Sequence, residues 1–322
     1  MACQSPVDAW KSRDRNESGL RSLVYSPVKG YLDQHVKVPC GRCVFCRLEL
    51  SRQWAVRAHH EASLYDQNCF ITLTYRNEDL PPFRALDTVA PSDFMRRLRD
   101  KFGKGIRSFG CAEYGEKFGR PHYHLALFNF DFPDKEFFKR SLGNDLFRSK
   151  SLEELWPFGF SSVAGMSFES AAYIARYVTK KLSVSEYSST AARERFINKH
   201  IGYSSLESRK LEVVRPVEQG VCIPQQVGLG KPWFEKYWQD VYPSDEVIIR
   251  GRKMRPPRYY DRLLKLANPD LYFKVKIQRM ANARELPDVD TIRAIAKYNF
   301  KLLQFKKLIR GLEDEEEMYC FS

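Results

Sequence analysis

No apolar run in this 322-residue chain approaches the ~20 residues that a membrane-spanning helix needs. Met1 to Asn16 is polar and lacks the apolar core of a secretory signal. Both absences exclude a membrane partner and place the chain, as an expectation, in the cytoplasm. In that reducing setting its eight cysteines are thiols or metal ligands and not a disulfide framework. No internal repeat is present, and no Gly-x-x-x-x-Gly-Lys-(Ser/Thr) loop, which excludes a phosphate-loop motor. Acidic residues are in short supply: 40 against 53 basic ones, a formal net charge of +13. So large a positive field attracts polyanions, chiefly nucleic acid. A hydrophobic fraction of 43% with 29% charged residues excludes a disordered chain.

A coarse pass finds alternating helix and strand signals. Arg47 to Tyr65 has apolar residues near helical spacing, and Cys69 to Tyr75 is a β-branched and aromatic strand. Ser92 to Lys104 reads as a basic amphipathic helix. Ile106–Tyr114 and Arg120–Phe130 read as two strands, and the short glycine-bearing link between them predicts a hairpin. Phe158 to Met166 is a further strand and Ser167 to Leu182 a helix. Residues 1–38 are mixed and polar, the pattern after Ser183 is less regular, and a late helix spans roughly Asp288 to Arg310.

The sharpest motif is Gly119-Arg-Pro-His122-Tyr-His124. Residues two apart on a strand share a face, about 6.6 Å apart, so both imidazoles can address one ion. His-x-His alone is common and is equally read as two surface histidines. Glu113 adds weight, because a hairpin returns His122 to its neighbourhood. Two imidazoles and a carboxylate leave positions open for water and a phosphate oxygen. Mg²⁺, Mn²⁺ and Zn²⁺ all stay open on that donor set. Glu116, in the turn, competes for the third position.

The second motif is Tyr173-Ile-Ala-Arg176-Tyr177-Val-Thr-Lys180-Lys181. Tyr173 and Tyr177 lie one turn apart on one helical face, and Arg176 and Lys180 each follow a tyrosine by three. A phenol with a pKa near ~10 is a poor nucleophile at neutral pH, and nearby cations or a metal favour phenolate. Alone, the pair is equally read as tyrosines packed on a sheet.

Together, FITLTY, EYG…GRPHYH and YIARYVTKK resemble the HUH replication initiators of rolling-circle replicons, most closely the Rep proteins of gokushovirus-type microviruses. The resemblance is firm over about residues 66–185 and says little about 186–322. It implies an α+β fold: a central antiparallel β-sheet bearing the His-x-His strand, with helices on one side and the tyrosine helix across the metal site. It implies His122, His124 and Glu113 as metal ligands, with Mg²⁺ or Mn²⁺ as the ion. Tyr173 and Tyr177 become the paired nucleophiles and Lys180 the assisting lysine. The activity it implies is cutting and rejoining of single-stranded DNA at a replication origin through a 5′-phosphotyrosyl link. Host helicase and polymerase would be partners, in the bacterial host cytoplasm. Three segments are expected: 1–65 with the cysteines, a 66–185 nicking domain and a basic 186–322 region that contacts DNA. A non-catalytic nucleic-acid-binding protein on the same sheet, or an HUH transposase, are the alternatives.

Two features stand outside these motifs. Cys40, Cys43 and Cys46 make overlapping Cys-x-x-Cys steps that suit tetrahedral zinc, with His35, Cys3, Cys69 and His59 as possible fourth ligands. Ordinary thiols are the other reading. Pro39-Cys40-Gly-Arg-Cys43 also mimics a nucleic-acid deaminase, but the only His-x-Glu, at His59-His60-Glu61, follows the cysteines instead of preceding them. Arg250, Arg252, Lys253, Arg255 and Arg258 concentrate charge beside Tyr259 and Tyr260, which suits phosphate contact and base stacking or simply a solvated loop. Arg96, Arg97, Arg99 and Lys101 form a second basic cluster.

Overall fold

The computed structural model describes residues 3–178, 228–282 and 295–304, apart from positions 4, 18, 20, 42, 85, 88, 115–119, 142 and 297. The chain divides into two compact units, 1–50 with 286–307 and 51–285 with 308–322. Among the described residues no helix is long and apolar enough to cross a membrane.

The first unit holds a three-stranded antiparallel sheet of β1 (Val7–Ser12), β2 (Leu23–Val24) and β3 (Gly30–Val38), in the order β2-β1-β3. Glycine at position 30 lets β1 approach, since a Cβ there would lie 2.2 Å from that of Trp10. The sequence pattern does not announce this sheet, because β3 is exposed along most of its length and shows no apolar alternation. Helix α1, Val44–Ala62, then carries the chain into the residues of the second unit.

The second unit is built on a six-stranded antiparallel sheet. Its strands are β4 (Asn68–Thr74), β5 (Arg107–Tyr114), β6 (Pro121–Phe128), β7 (Lys135–Ser141), β8 (Asn144–Ser149) and β9 (Ser161–Gly165), in the order β5-β6-β4-β9-β8-β7. The α+β class and the central antiparallel sheet are as expected. The β5–β6 hairpin is present, with Tyr114 opposite Pro121; the connecting residues 115–119, and with them Glu116, lie outside the described residues.

Helices cover both faces, which corrects the expectation of helices on one side only. Helix α2 (Ala90–Phe102) and α3 (Lys150–Leu155) pack Phe94, Met95, Leu98, Leu152 and Leu155 on Ile71, Leu73, Tyr123 and Leu125. On the opposite face, Ala58 of α1 and Ala171, Tyr173 and Ile174 of α4 (Phe168–Val178) pack on Phe70, Phe109, Ala126 and Phe128. The reason lies in the strands: β4 and β6 are apolar on both faces, so each face must be shielded from water. Trp156 fills the α2 side, donating its indole N–H to the Thr74 carbonyl at 2.9 Å.

Residues 228–282 add α5 (Lys231–Val241), the hairpin β10 (Val247–Ile249) and β11 (Arg252–Met254), α6 (Arg258–Ala267) and α7 (Pro269–Ala281). Phe234, Tyr242, Tyr260 and Leu264 bury Val56 of α1 among them. A buried polar knot reinforces this contact. The fully buried Glu61 carboxylate pairs with Arg107 of β5 and accepts the Gly230 N–H at 2.6 Å. Gly230 has φ +75°, and a Cβ there would lie 2.5 Å from the Tyr260 hydroxyl. Of the late helix expected from Asp288, the described positions 295–304 are helical and the remainder lies outside the described residues.

Candidate active site

Strand β6 runs between β4 and β5, which places His124 opposite both Thr72 and Cys111, and His122 opposite both Thr74 and Glu113. The period of two does what it predicts: both histidines face the α1/α4 side while Tyr123 faces Trp156. Their rings are nearly parallel, with centroids 6.5 Å apart. Arg120 anchors the entrance to β6, donating to the Tyr75 carbonyl and to Asn77 Oδ1, each at 2.6 Å.

His122 Nδ1 lies 2.6 Å from the Arg120 carbonyl oxygen. A carbonyl can only accept, so Nδ1 carries the hydrogen and Nε2 keeps its lone pair. That Nε2 is buried and, among the described residues, has no hydrogen-bond partner; the same holds for Glu113 Oε2. Burial holds the His122 pKa down at about 3, with the neighbouring His124 adding to the effect, so the ring is neutral at physiological pH. His124 is held at both nitrogens: Nδ1 lies 3.1 Å from Thr72 Oγ1, and Nε2 lies 2.9 Å from Glu113 Oε1.

Tyr173 closes the group. From α4 its hydroxyl donates to Glu113 Oε1 at 2.9 Å and lies 3.3 Å from His124 Nε2, while its ring meets His124 and Phe70 edge to face. Arg176, one turn along, has its guanidinium 5.9 Å from the Tyr173 ring centroid. Tyr177 belongs to the same helix; its side chain, and Lys180 altogether, lie outside the described residues.

A divalent cation would fit this donor set. Two buried lone-pair groups of suitable type, His122 Nε2 and Glu113 Oε2, stand without partners, which is costly unless something occupies them. The His122 tautomer is the one that a metal-ligating histidine adopts when its other nitrogen binds a backbone carbonyl. Glu113 and His124 are in direct contact. His122 stands further off, since the donor atoms of these three are not all within 4.8 Å of one another, unlike those of a cysteine quartet elsewhere in the chain.

Thr72 was not singled out from sequence, although Thr72 and Thr74 alternate with Ile71 and Leu73, a polar stripe that signals a special face on an otherwise apolar strand.

Other sequence-derived candidates land elsewhere. Tyr260 is fully buried against Phe234 and Trp233, which rules out base stacking on it; it belongs to the core because α6 turns that face onto α1. Tyr259 is half-buried, with the Arg57 guanidinium 3.9 Å from its ring centroid. Arg250 is paired with Glu169 and Lys253 with Glu246, whereas Arg252, Arg255 and Arg258 are exposed. On α2 the basic cluster serves the fold: Arg96 lies near Asp93 and Asp100, Arg97 donates to the Leu155 carbonyl, Arg99 to that of Ile106, and Lys101 pairs with Glu154. His60 stacks on Trp233, its ring nitrogen 3.1 Å from the Tyr260 hydroxyl, and Glu61 is spent on Arg107, so neither is free for deaminase chemistry.

Comparisons with known proteins bear on the same span. The family model described as Replication-associated protein ORF2 matches residues 68–182, from β4 to beyond the tyrosine helix. The chain is 32% identical over 294 residues to Replication-associated protein ORF2 of Spiroplasma virus 4, covering 85% of this chain and 83% of that one. It is 28% identical over 263 residues to Replication-associated protein VP4 of Bdellovibrio phage phiMH2K, covering 79% and 75%. With Replication-associated protein ORF4 of Chlamydia phage 1 it shares 29% identity over 259 residues, 77% of this chain and 59% of that one. No solved structure matched the chain.

Proposed function

The chain belongs to the family of phage replication-associated proteins of microvirus type, and on that premise we propose that it starts replication by nicking one DNA strand with a tyrosine. The observation that carries this reading is the Tyr173 hydroxyl, joined to Glu113 and His124 on a buried face where two further donor atoms lack partners. A purely structural tyrosine needs no such neighbours.

In the proposed reaction the phenol oxygen of Tyr173 attacks the scissile phosphorus. The new O–P bond forms as the bond from phosphorus to the 3′ oxygen breaks. The phenol gives up its proton, and the departing 3′ oxygen takes one up. The products are a 5′-phosphotyrosyl link and a 3′-hydroxyl that primes synthesis. Attack by a 3′-hydroxyl on the link reverses the exchange and rejoins a strand, so no oxidant or nucleotide is consumed.

His122, His124 and Glu113 would hold a divalent ion, Mn²⁺ or Mg²⁺. When bound, it supplies Lewis-acid polarisation and charge neutralisation at the phosphate. Thr72 and the Arg120 carbonyl orient the two imidazoles. Tyr177, one turn from Tyr173, serves as the second nucleophile while the first carries DNA, and Lys180 assists. Exposed Arg252, Arg255 and Arg258 contact the phosphates of the strand. The protein acts in the bacterial cytoplasm, where host helicase and polymerase take over the opened origin.

The test is a covalent adduct. Full-length protein, single-stranded origin DNA and Mn²⁺ should give a band on a denaturing gel that survives boiling and maps by peptide mass to α4. A protein that binds DNA tightly yet forms no adduct under any divalent ion would be a non-catalytic binder, and the reading would fall.

A further inference from the structure

The cysteine quartet lies in the first unit and takes no part in the chemistry above. Cys3 Sγ is 3.5 Å from Cys40 Sγ and 3.9 Å from Cys43 Sγ, and the sulfurs of Cys3, Cys40, Cys43 and Cys46 all fall within 4.8 Å of one another. None is in a disulfide, whose sulfurs would be ~2.05 Å apart. A tetrahedral zinc with Zn–S bonds of ~2.3 Å has a sulfur–sulfur edge of ~3.8 Å, close to the spacing seen.

The chain is arranged to make this meeting. Strands β1 and β3 pair antiparallel with Val7 opposite Val38 and Asp8 opposite Lys37. Continued past Val7, that register carries Cys3 alongside the segment after β3, across a separation of 37 residues. Gly41, at φ +75°, turns the chain between Cys40 and Cys43, and Cys46 stands in the first turn of α1. Two backbone amides donate to sulfur: Cys40 N–H to Cys3 Sγ and Cys43 N–H to Cys40 Sγ, both at 3.3 Å. Amide donors and the positive end of a helix both favour thiolate over thiol.

We propose that Cys3, Cys40, Cys43 and Cys46 bind one zinc ion as a closed tetrathiolate that staples the N-terminus to the entrance of α1. Four thiols release four protons and supply four S–Zn bonds; no electron is transferred. With all four positions filled by protein there is no place for substrate or water, so the ion is structural. Soft thiolates and a d¹⁰ ion without geometric preference suit each other, which selects zinc over Mg²⁺ or Mn²⁺ at this position. The sequence motif contains three of the ligands; Cys3, and not His35, Cys69 or His59, completes the set. His35 faces Asp8 instead, 2.8 Å away, and Cys69 is buried in the core of the second unit.

Elemental analysis of purified full-length protein tests this. About one equivalent of zinc should survive dialysis against EDTA, as expected of a closed site. It should persist in His122→Ala/His124→Ala and be lost in Cys3→Ser and in Cys43→Ser. Replacement by Co²⁺ should give sulfur-to-cobalt charge-transfer bands and the visible absorption of a tetrahedral tetrathiolate. Should the serine variants fail to fold, alkylation of the native wild type decides: these four thiols must be protected until a mercurial releases the metal. Folded wild-type protein without zinc, with iron in its place, with these cysteines in disulfides, or with zinc retained in Cys3→Ser would each overturn the assignment.

Discussion

The hydroxyl of Tyr173 donates to Glu113 Oε1 across 2.9 Å, although 60 residues separate the two. This one contact ties the tyrosine helix to the hairpin that carries the histidines. It also distinguishes the two tyrosines of α4, which the sequence presents as equivalents.

If that placement governs reactivity, Tyr173 makes the first cut. Tyr173→Phe should slow first-adduct formation by about 10²-fold or more, since a misplacement of ~1 Å can cost that much. Tyr177→Phe should leave the first adduct nearly unchanged and abolish complete cycles of cutting and rejoining. The double mutant should fold, bind DNA and form no adduct. Single-turnover adduct kinetics with peptide mapping check all three; a link to a tyrosine outside α4, or a larger loss in Tyr177→Phe, contradicts the assignment.

The ligand set makes a separate prediction. His122→Ala and His124→Ala should each abolish cleavage, while salt-dependent DNA affinity, which comes from dispersed Lys and Arg, stays within about 2-fold. Mn²⁺ titration followed by electron paramagnetic resonance should show binding in the wild type and none in the double variant. Glu113→Ala should be milder, because water can replace one ligand. Unchanged Mn²⁺ binding in the double variant would remove these histidines from the site.

Buried neutral histidines make stability depend on pH. His60 and His122 are both held at about 3, chiefly by burial, against 6.5 for a free imidazole. The unfolded chain therefore takes up protons that the folded one refuses. The stability involved is fully present above pH 6.5 and is lost as pH falls from 6.5 towards 3, at up to ~1.4 kcal/mol per unit for each group. Urea midpoints in metal-free buffer should drop between pH 7 and pH 5 by the equivalent of roughly 2–4 kcal/mol. His60→Phe, which keeps the stacking on Trp233, should remove about half of that slope. A slope unchanged by this substitution would mean that His60 is not the group titrating.

Glu61 should matter for stability and not for chemistry. Its carboxylate is fully buried and serves both Arg107 and the Gly230 amide. Glu61→Ala leaves a half-buried guanidinium and a buried N–H without their acceptor, a loss of about 3 kcal/mol. Glu61→Gln, which still accepts one hydrogen bond, should cost about half as much. Chemical denaturation measures both; wild-type stability in Glu61→Ala would show that the knot is not formed.

The chemistry-bearing residues were legible because local periodicity controls them. A period of two put His122 and His124 on one face, the short link after Tyr114 returned Glu113 to them, and a period of 3.6 gave Tyr173 and Tyr177 a common side. Such patterns need no knowledge of distant chain. They also misled where burial was at stake: Tyr260 reads as an aromatic beside cations and is in fact core.

What the amino-acid sequence determined by itself was thus the class of fold, the paired strands and which residue types share a face. The tertiary structure alone decided which faces are covered and which distant groups meet. Thr72 beside His124, Cys3 beside Cys40, Glu61 beside Arg107 and the Tyr173–Glu113 contact each join residues 37 to 60 positions apart. Propensity and hydrophobic period act over a few residues. Contacts of that span are selected only when whole helices and strands find the packing that buries both faces of the sheet, and no local signal encodes that choice.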